Sequence, residues 1–318
     1  MPITPACSSH PSGVHRSRAL GLRRAPTFGL RRTRRFVLAV LGTICLVVST
    51  FGSAGAASAA PPTRAMWVWT QADPAAVVDF AQTHGVSTLF VAVGSDVATS
   101  GDLPRLQRLV AIAHGAGIRV DALGGDPSWA TNQTPALAWE KAVLGTGLFS
   151  GVHVDVEPYA LPGWSTPKTQ TKIISSYLSM LSALRQGLRG TGLPLEADVA
   201  FWYGTVPLGR STLADEVLSR VDALTVMSYR DTATGPNSIT DVGADLLARG
   251  AAAGRPVRLA AETNPLADCP ACTFYEEGEP ALQAALATVD GVEASSPAYA
   301  GMAVEDYDGW AALASRGL

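Results

Sequence analysis

Histidine, cysteine and charge are all scarce in this sequence, and each scarcity narrows what the chain can do. Its 318 residues include five His and four Cys. After residue 60 only His84, His114, His153, Cys269 and Cys272 remain. His84 and His114 each precede a Gly at the end of a helical pattern, where capping or a C-terminal cation is the ordinary role. No two His stand at ligand spacing, which argues against a zinc site. Neither a metal nor an organic cofactor is expected; any Mg²⁺ or Ca²⁺ would depend on carboxylates alone. Charged residues make up only 16 % and apolar residues 47 %, the balance of a globular rather than a disordered chain.

Acids are missing altogether from residues 1–60, which carry eight Arg. All 27 Asp and Glu come later, against the 16 Lys and Arg left there, so residues 61–318 bear a formal −11. A nucleic-acid-binding surface needs clustered cations and is not expected. A long apolar run is absent too. Phe36 to Val48 falls short of the roughly 20 residues that a membrane-spanning helix needs. Arginines, a short apolar stretch, then small residues up to Ala60 follow the order of an export signal. Thr33 to Leu38 partly resembles a twin-arginine signal, whereas Cys45 follows Ile44 and lacks the small neighbour of a lipoprotein signal. The expectation is a signal peptide over 1–60 and a secreted, monomeric domain over 61–318 with no membrane segment. In such an oxidised setting, Cys269-Pro270-Ala271-Cys272 reads as a structural disulfide.

No linker or low-complexity tract divides the remaining 258 or so residues, a length that suits a single (β/α)₈ barrel. Eight β-type runs alternate with helical patterns: Ala65–Thr70, Thr88–Gly94, Arg119–Gly124, Gly151–Glu157, Leu195–Tyr203, Ala223–Tyr229, Val257–Glu262 and Tyr299–Glu305. The helical pattern over Pro167–Leu188 is the clearest, with Ile173, Ile174, Tyr177, Leu178, Leu181 and Leu184 on one face. Ser165 is its expected N-cap. Strand–helix alternation repeated eight times predicts an α/β fold with a closed parallel barrel.

Strand parity then selects the lumen. In the fourth strand Val152, Val154 and Val156 form an apolar face for the helices, so His153, Asp155 and Glu157 point inward. The same rule sends Glu196, Asp198 and Trp202 inward from the fifth strand, Met227 and Tyr229 from the sixth, Glu262 from the seventh and Glu305 from the eighth. Asp155, Glu157, Glu262 and Glu305 therefore converge at the C-terminal mouth, where barrel enzymes hold their active sites. Arg258 and Arg230 are the only cations near these strand ends. Crowded carboxylates cannot all ionise, so at least one keeps its proton near neutral pH, the condition for protonating a glycosidic oxygen. Trp67, Trp69, Trp129, Trp164 and Trp202 fall at or after strand ends, where flat rings stack on sugars or simply pack. A carbohydrate is the partner these features suggest.

Gly151-Val152-His153-Val154-Asp155-Val156-Glu157 resembles the fourth-strand signature Asp-Gly-x-Asp-x-Asp-x-Glu of family 18 glycoside hydrolases, the chitinase-like barrels. Met227-Ser228-Tyr229 is similar to that family's sixth-strand Met-x-Tyr. The resemblance implies Glu157 as general acid, Asp155 as the residue positioning a substrate N-acetyl group, and Tyr229 as a stabiliser, in substrate-assisted catalysis. Trp67, Trp69, Trp202, Met227 and Glu305 are the expected substrate contacts, and the resemblance itself spans the whole barrel in outline. Ser150 and His153 replace two signature Asp, Arg230 follows the Tyr where Asp is usual, and Glu305 stands where a sugar-flooring Trp is usual. A second pattern pairs Glu157-Pro158 with Glu262 as acid/base and nucleophile, which would need about 5 Å between the carboxyls. A carbohydrate-binding barrel without activity is the alternative of a different class.

Overall fold

A computed structural model describes residues 63–316. The expected signal peptide lies outside the described residues. Among those residues eight parallel strands close into a barrel: β1 (Thr63–Val68), β2 (Thr88–Ala92), β3 (Arg119–Gly124), β4 (Val152–Val154), β5 (Leu195–Ala200), β6 (Ala223–Met227), β7 (Val257–Glu262) and β8 (Tyr299–Glu305). Each strand pairs with its sequence neighbours, and β1 pairs with β8 through Ala65 opposite Ala303, which closes the ring. Eight helices follow the strands: α1 (Pro74–Thr83), α2 (Leu103–Gly115), α3 (Gln133–Thr146), α4 (Pro167–Gly187), α5 (Leu213–Leu218), α6 (Ile239–Ala253), α7 (Glu279–Glu293) and α8 (Tyr307–Arg316). A short hairpin, Pro207–Leu208 with Ser211–Thr212, interrupts the fifth unit.

The expected fold is the observed one, with two strand ends drawn in. β4 stops at Val154, so Asp155 and Glu157 sit on the segment just beyond it. Pro158, which has no N–H for a ladder, then opens a 3₁₀ turn at Pro158–Ala160. β5 stops at Ala200, and Phe201–Thr205 winds into another 3₁₀ turn, so Trp202 no longer obeys strand parity. The valines of β4 are buried against the helices as the alternation requires. In α4 the apolar face from Ile173 to Leu184 is likewise buried, with Pro167 in the first turn. Its N-cap is Thr166 rather than Ser165, and no side chain closes the cap.

The lower lumen is polar. Arg119 Nε lies 2.8 Å from an Asp121 oxygen, Thr225 Oγ1 donates to Glu196 over 2.6 Å, and Arg258 Nε is 3.4 Å from the same carboxylate. Burial pushes Glu196 up, but Arg258, His153 and the Thr225 hydroxyl outweigh it and hold the carboxyl below its usual range. Arg258 also donates to Ala300 O, at the N-terminal end of the lumen. Arg258, expected near the strand ends at the mouth, therefore lies at the other end, because it is the second residue of β7.

One charge is buried between helices. Glu140 of α3 is only 4 % exposed, and its Oε1 has no hydrogen-bond partner among the described residues. A Cβ on Gly187, the last residue of α4, would stand 2.1 Å from the Glu140 Oε2, so that glycine makes the room. Burial alone raises the Glu140 carboxyl to about 7. A folded-state value above the unfolded one means stability that is full below about 4.5 and is lost as pH rises through about 7. Glu140→Gln is accordingly expected to raise stability at pH 8 by roughly 1–3 kcal/mol and to change little at pH 4. Denaturant melts at both pH values check this; an equal effect at both would refute the ionisation argument.

Candidate active site

The C-terminal mouth divides into two acidic halves joined by a tyrosine. The first follows β4. The β3–β4 pairing continues past the strand end, where the Asp155 N–H donates to Gly124 O over 3.0 Å. This holds Asp155 at the lumen entrance with its Oδ1 shut off from water and lacking a partner among the described residues. Burial first, then the negative charges of Asp198 and Glu157, push the Asp155 carboxyl well up. Glu157 caps the 3₁₀ turn that Pro158 begins, and the turn folds Tyr159 back so that its hydroxyl donates to Glu157 Oε1. Burial raises Glu157 and Asp198 adds to it, with the Tyr159 bond in opposition. Tyr159 itself is pushed well up by burial and by Glu157, so it stays protonated as a donor.

The second half lies at the ends of β7 and β8, where register sets Glu262 directly opposite Glu305. Glu262 Oε1 accepts from the backbone N–H of Thr263 and of Asn264, both at 2.7 Å, and from the Asn264 side chain at 3.0 Å. Burial nevertheless raises its carboxyl to about 7. Glu305 accepts from Trp69 Nε1 over 2.6 Å. Burial, Glu262 and Asp306 push Glu305 well up, and the Trp69 bond only partly offsets them. Asp306 accepts from the Gly309 N–H at 2.8 Å. The loop after β7 folds back onto this half through Phe274 N–H to Glu262 O at 2.9 Å, and the Cys269–Cys272 disulfide closes it with Cα atoms 5.4 Å apart. So small a ring removes little denatured-state entropy and acts on the loop rather than on the barrel.

Tyr229, just past β6, is buried between the halves. Burial, then the charges of Glu305, Glu262, Asp198 and Asp155, push its phenol well up, so it remains a neutral donor. Two strands, β5 and β6, separate β4 from β7 around the ring. Glu157 thus has Asp155 as its near acidic neighbour, and Glu262 has Glu305.

The aromatic residues sort by depth. Trp69, Trp164 and Trp202 keep partly exposed rings. Trp202 stands edge-on to Tyr159 at 5.4 Å and to Trp164 at 6.1 Å, so these rings flank Glu157. Trp67 does not belong with them: it is 1 % exposed and donates its N–H to Asp198 over 3.2 Å, deep in the lumen. The expected sugar contact at Trp67 is corrected, because no ring face is open. Trp129 packs against Trp139 in the same buried manner. Met227 is buried, its Sδ 4.0 Å from the Tyr159 hydroxyl. Arg230 lies 4.8 Å over the Phe201 ring and donates to Tyr229 O. Among the described residues no three His, Cys, Asp or Glu are grouped to hold a metal ion.

Several contributors escaped the reading of strands. Tyr159 is one; the signal was Pro158, which forces the turn that returns it to Glu157. Asn264 and Asp306 sit on loops, where parity says nothing. Gly125 is another: a Cβ there would stand 1.8 Å from Asp155 O, so only glycine lets the two backbones meet. Gly125→Ala should displace Asp155 and cost about 1–3 kcal/mol by overpacking. A thermal melt together with the carboxyl chemical shift of Asp155 checks it; unchanged values for both would show that the segment yields freely.

No family model and no curated protein matches the chain. Solved structures do match its shape. A GH18 chitinase from Pseudoalteromonas aurantia aligns over 80 % of this chain and 100 % of its own at 14 % identity, with a TM-score of 0.53. A chitinase from Chromobacterium violaceum ATCC 12472 aligns over 80 % and 98 %, also at 14 % identity, with a TM-score of 0.51. The likeness expected from the fourth- and sixth-strand motifs is met in the barrel fold.

Proposed function

We propose that this barrel is a secreted glycoside hydrolase, divergent from the chitinases whose fold it shares, that cleaves O-glycosidic bonds in an oligosaccharide or polysaccharide. The observation that carries the reading is the arrangement at Glu157. Tyr159 occupies Oε1, burial and nearby charge favour the protonated carboxyl, and Oε2 is left to hand its proton to a leaving-group oxygen. Asp155, two residues before it, keeps a buried oxygen with no protein partner among the described residues, which a substrate N–H or O–H meets only if the side chain turns toward the mouth. Tyr229 supplies a neutral hydroxyl at the centre of the mouth. Trp69, Trp164 and Trp202 provide partly open faces for sugar rings.

Export rests on the leader-like residues 1–60, with residues 61–318 as the exported domain. No helix among the described residues is long and apolar enough to cross a membrane. The test is a panel of polysaccharides offered to the purified domain, with analysis of products and of their anomeric configuration. Release of shorter oligosaccharides supports the proposal. Binding of oligosaccharides at this mouth without any cleavage would replace it by the carbohydrate-binding reading, which the changes at Ser150, His153 and Glu305 favour.

A further inference from the structure

Below the mouth lies a pair of titratable groups that the reaction as described leaves unused. His153 on β4 and Asp198 on β5 are buried, with Nε2 2.9 Å from Oδ2. Register sets Val154 opposite Ala197, so the following inward residues, Asp155 and Asp198, are lateral neighbours on adjacent strands. Trp67 donates its N–H to the same Asp198 oxygen that faces His153. Phe90 stacks on the imidazole at 3.7 Å, and Trp67 stands edge-on to it at 6.0 Å. An aromatic face suits a cationic ring. A His and an Asp so deep in a lumen are costly as single charges and tolerable as a pair.

We propose that His153 and Asp198 form a buried ion pair that acts as a positioning device for the reaction: Asp198 holds a proton on the neighbouring Asp155–Glu157 pair, and His153 is the countercharge that keeps Asp198 ionised. This rests on the hydrolase reading of the mouth but concerns a different pair of residues. Burial pushes the Asp198 carboxyl up, and the charge and N–H of His153 and the N–H of Trp67 oppose that push. From β4 and beyond, Asp155 and Glu157 both feel Asp198. On β5 itself Glu196 is held ionised by Arg258, and on β3 Asp121 is paired with Arg119. The α4 phenol Tyr177 and the β6-end phenol Tyr229 also feel Asp198 and are pushed up, so they stay neutral. Burial opposes a charge on His153, and the Asp198 carboxylate together with Glu196 and Asp121 outweighs it.

The experiment is a carboxyl ¹³C NMR titration of the substrate-free domain with labelled Asp and Glu, the Glu157 signal being identified by its loss in Glu157→Gln. Asp198→Asn, nearly isosteric, should lower the apparent titration midpoint of the Asp155–Glu157 pair by roughly one pH unit. His153→Asn should lower it similarly, because Asp198 then protonates. The double variant should go no further than Asp198→Asn alone, since His153 acts through Asp198. An unchanged midpoint in folded Asp198→Asn, or additive shifts, overturns the proposal. A ¹⁵N spectrum of the wild-type His153 ring is independent of any variant's folding: two protonated nitrogens at pH 7 support the ion pair, and a neutral ring overturns it. None of these readouts needs a substrate, so failure to find cleavage would remove the hydrolase reading and leave the ion pair to be judged by itself.

Discussion

Glu157→Gln is expected to abolish glycosidic cleavage while the barrel and most of its sugar affinity persist. The amide keeps the shape of the acid and still accepts from Tyr159, but it has no proton to give a departing oxygen. General-acid assistance is typically worth roughly 10²–10⁴-fold in rate, so the loss should appear in kcat rather than KM. The pH profile carries a second sign of the same role. Burial and Asp198 raise the Glu157 carboxyl, so its protonated form extends toward neutral pH. Activity should therefore decline as pH rises through that raised value, and the alkaline limb should vanish from whatever activity the variant retains. Wild-type turnover by Glu157→Gln on a substrate that the protein demonstrably cleaves would remove Glu157 from the acid role.

Asp155→Asn and Glu262→Gln together decide how the reaction is completed. Asp155 is the near acidic neighbour of Glu157 and has a buried oxygen without a partner among the described residues. Its replacement should cost about 10²-fold, the scale seen when one electrostatic contact to a developing charge is removed. Glu262 is on β7, its Oε1 held by Thr263 and Asn264. A glutamine oxygen accepts the same three bonds, so Glu262→Gln should cost less than tenfold, a departure smaller than that of a catalytic acid. Single-turnover rates on one substrate give the comparison. Should Glu262→Gln prove as damaging as Glu157→Gln, with Asp155→Asn mild, Glu262 is the nucleophile of a two-carboxylate mechanism. The anomeric configuration of the first product does not separate these cases, because both mechanisms retain it, but trapping of a glycosyl group on Glu262 does.

The architecture and the sidedness of the barrel were legible in the sequence because both follow from local rules. A period of two along each strand sorts Val152, Val154 and Val156 from His153, Asp155 and Glu157, and the burial of those valines agrees with it. A 3.6-residue period does the same for α4, from Ile173 to Leu184. The same parity placed Asp198, Glu262 and Glu305 inward, and the last two end their strands, where register makes them opposite neighbours. What only the tertiary structure decided is depth and partnership. Trp67 and Trp69 share a strand-end motif two residues apart, yet one is sealed under Asp198 and the other is half open beside Glu305. Arg258 shares the parity of Glu262 yet serves Glu196 at the far end. Tyr159, Asn264 and Gly125 act through turns and close backbone approach, for which no residue period exists. Parity names a side of the sheet; height along the barrel axis depends on shear and strand length, which arise only when all eight strands close together.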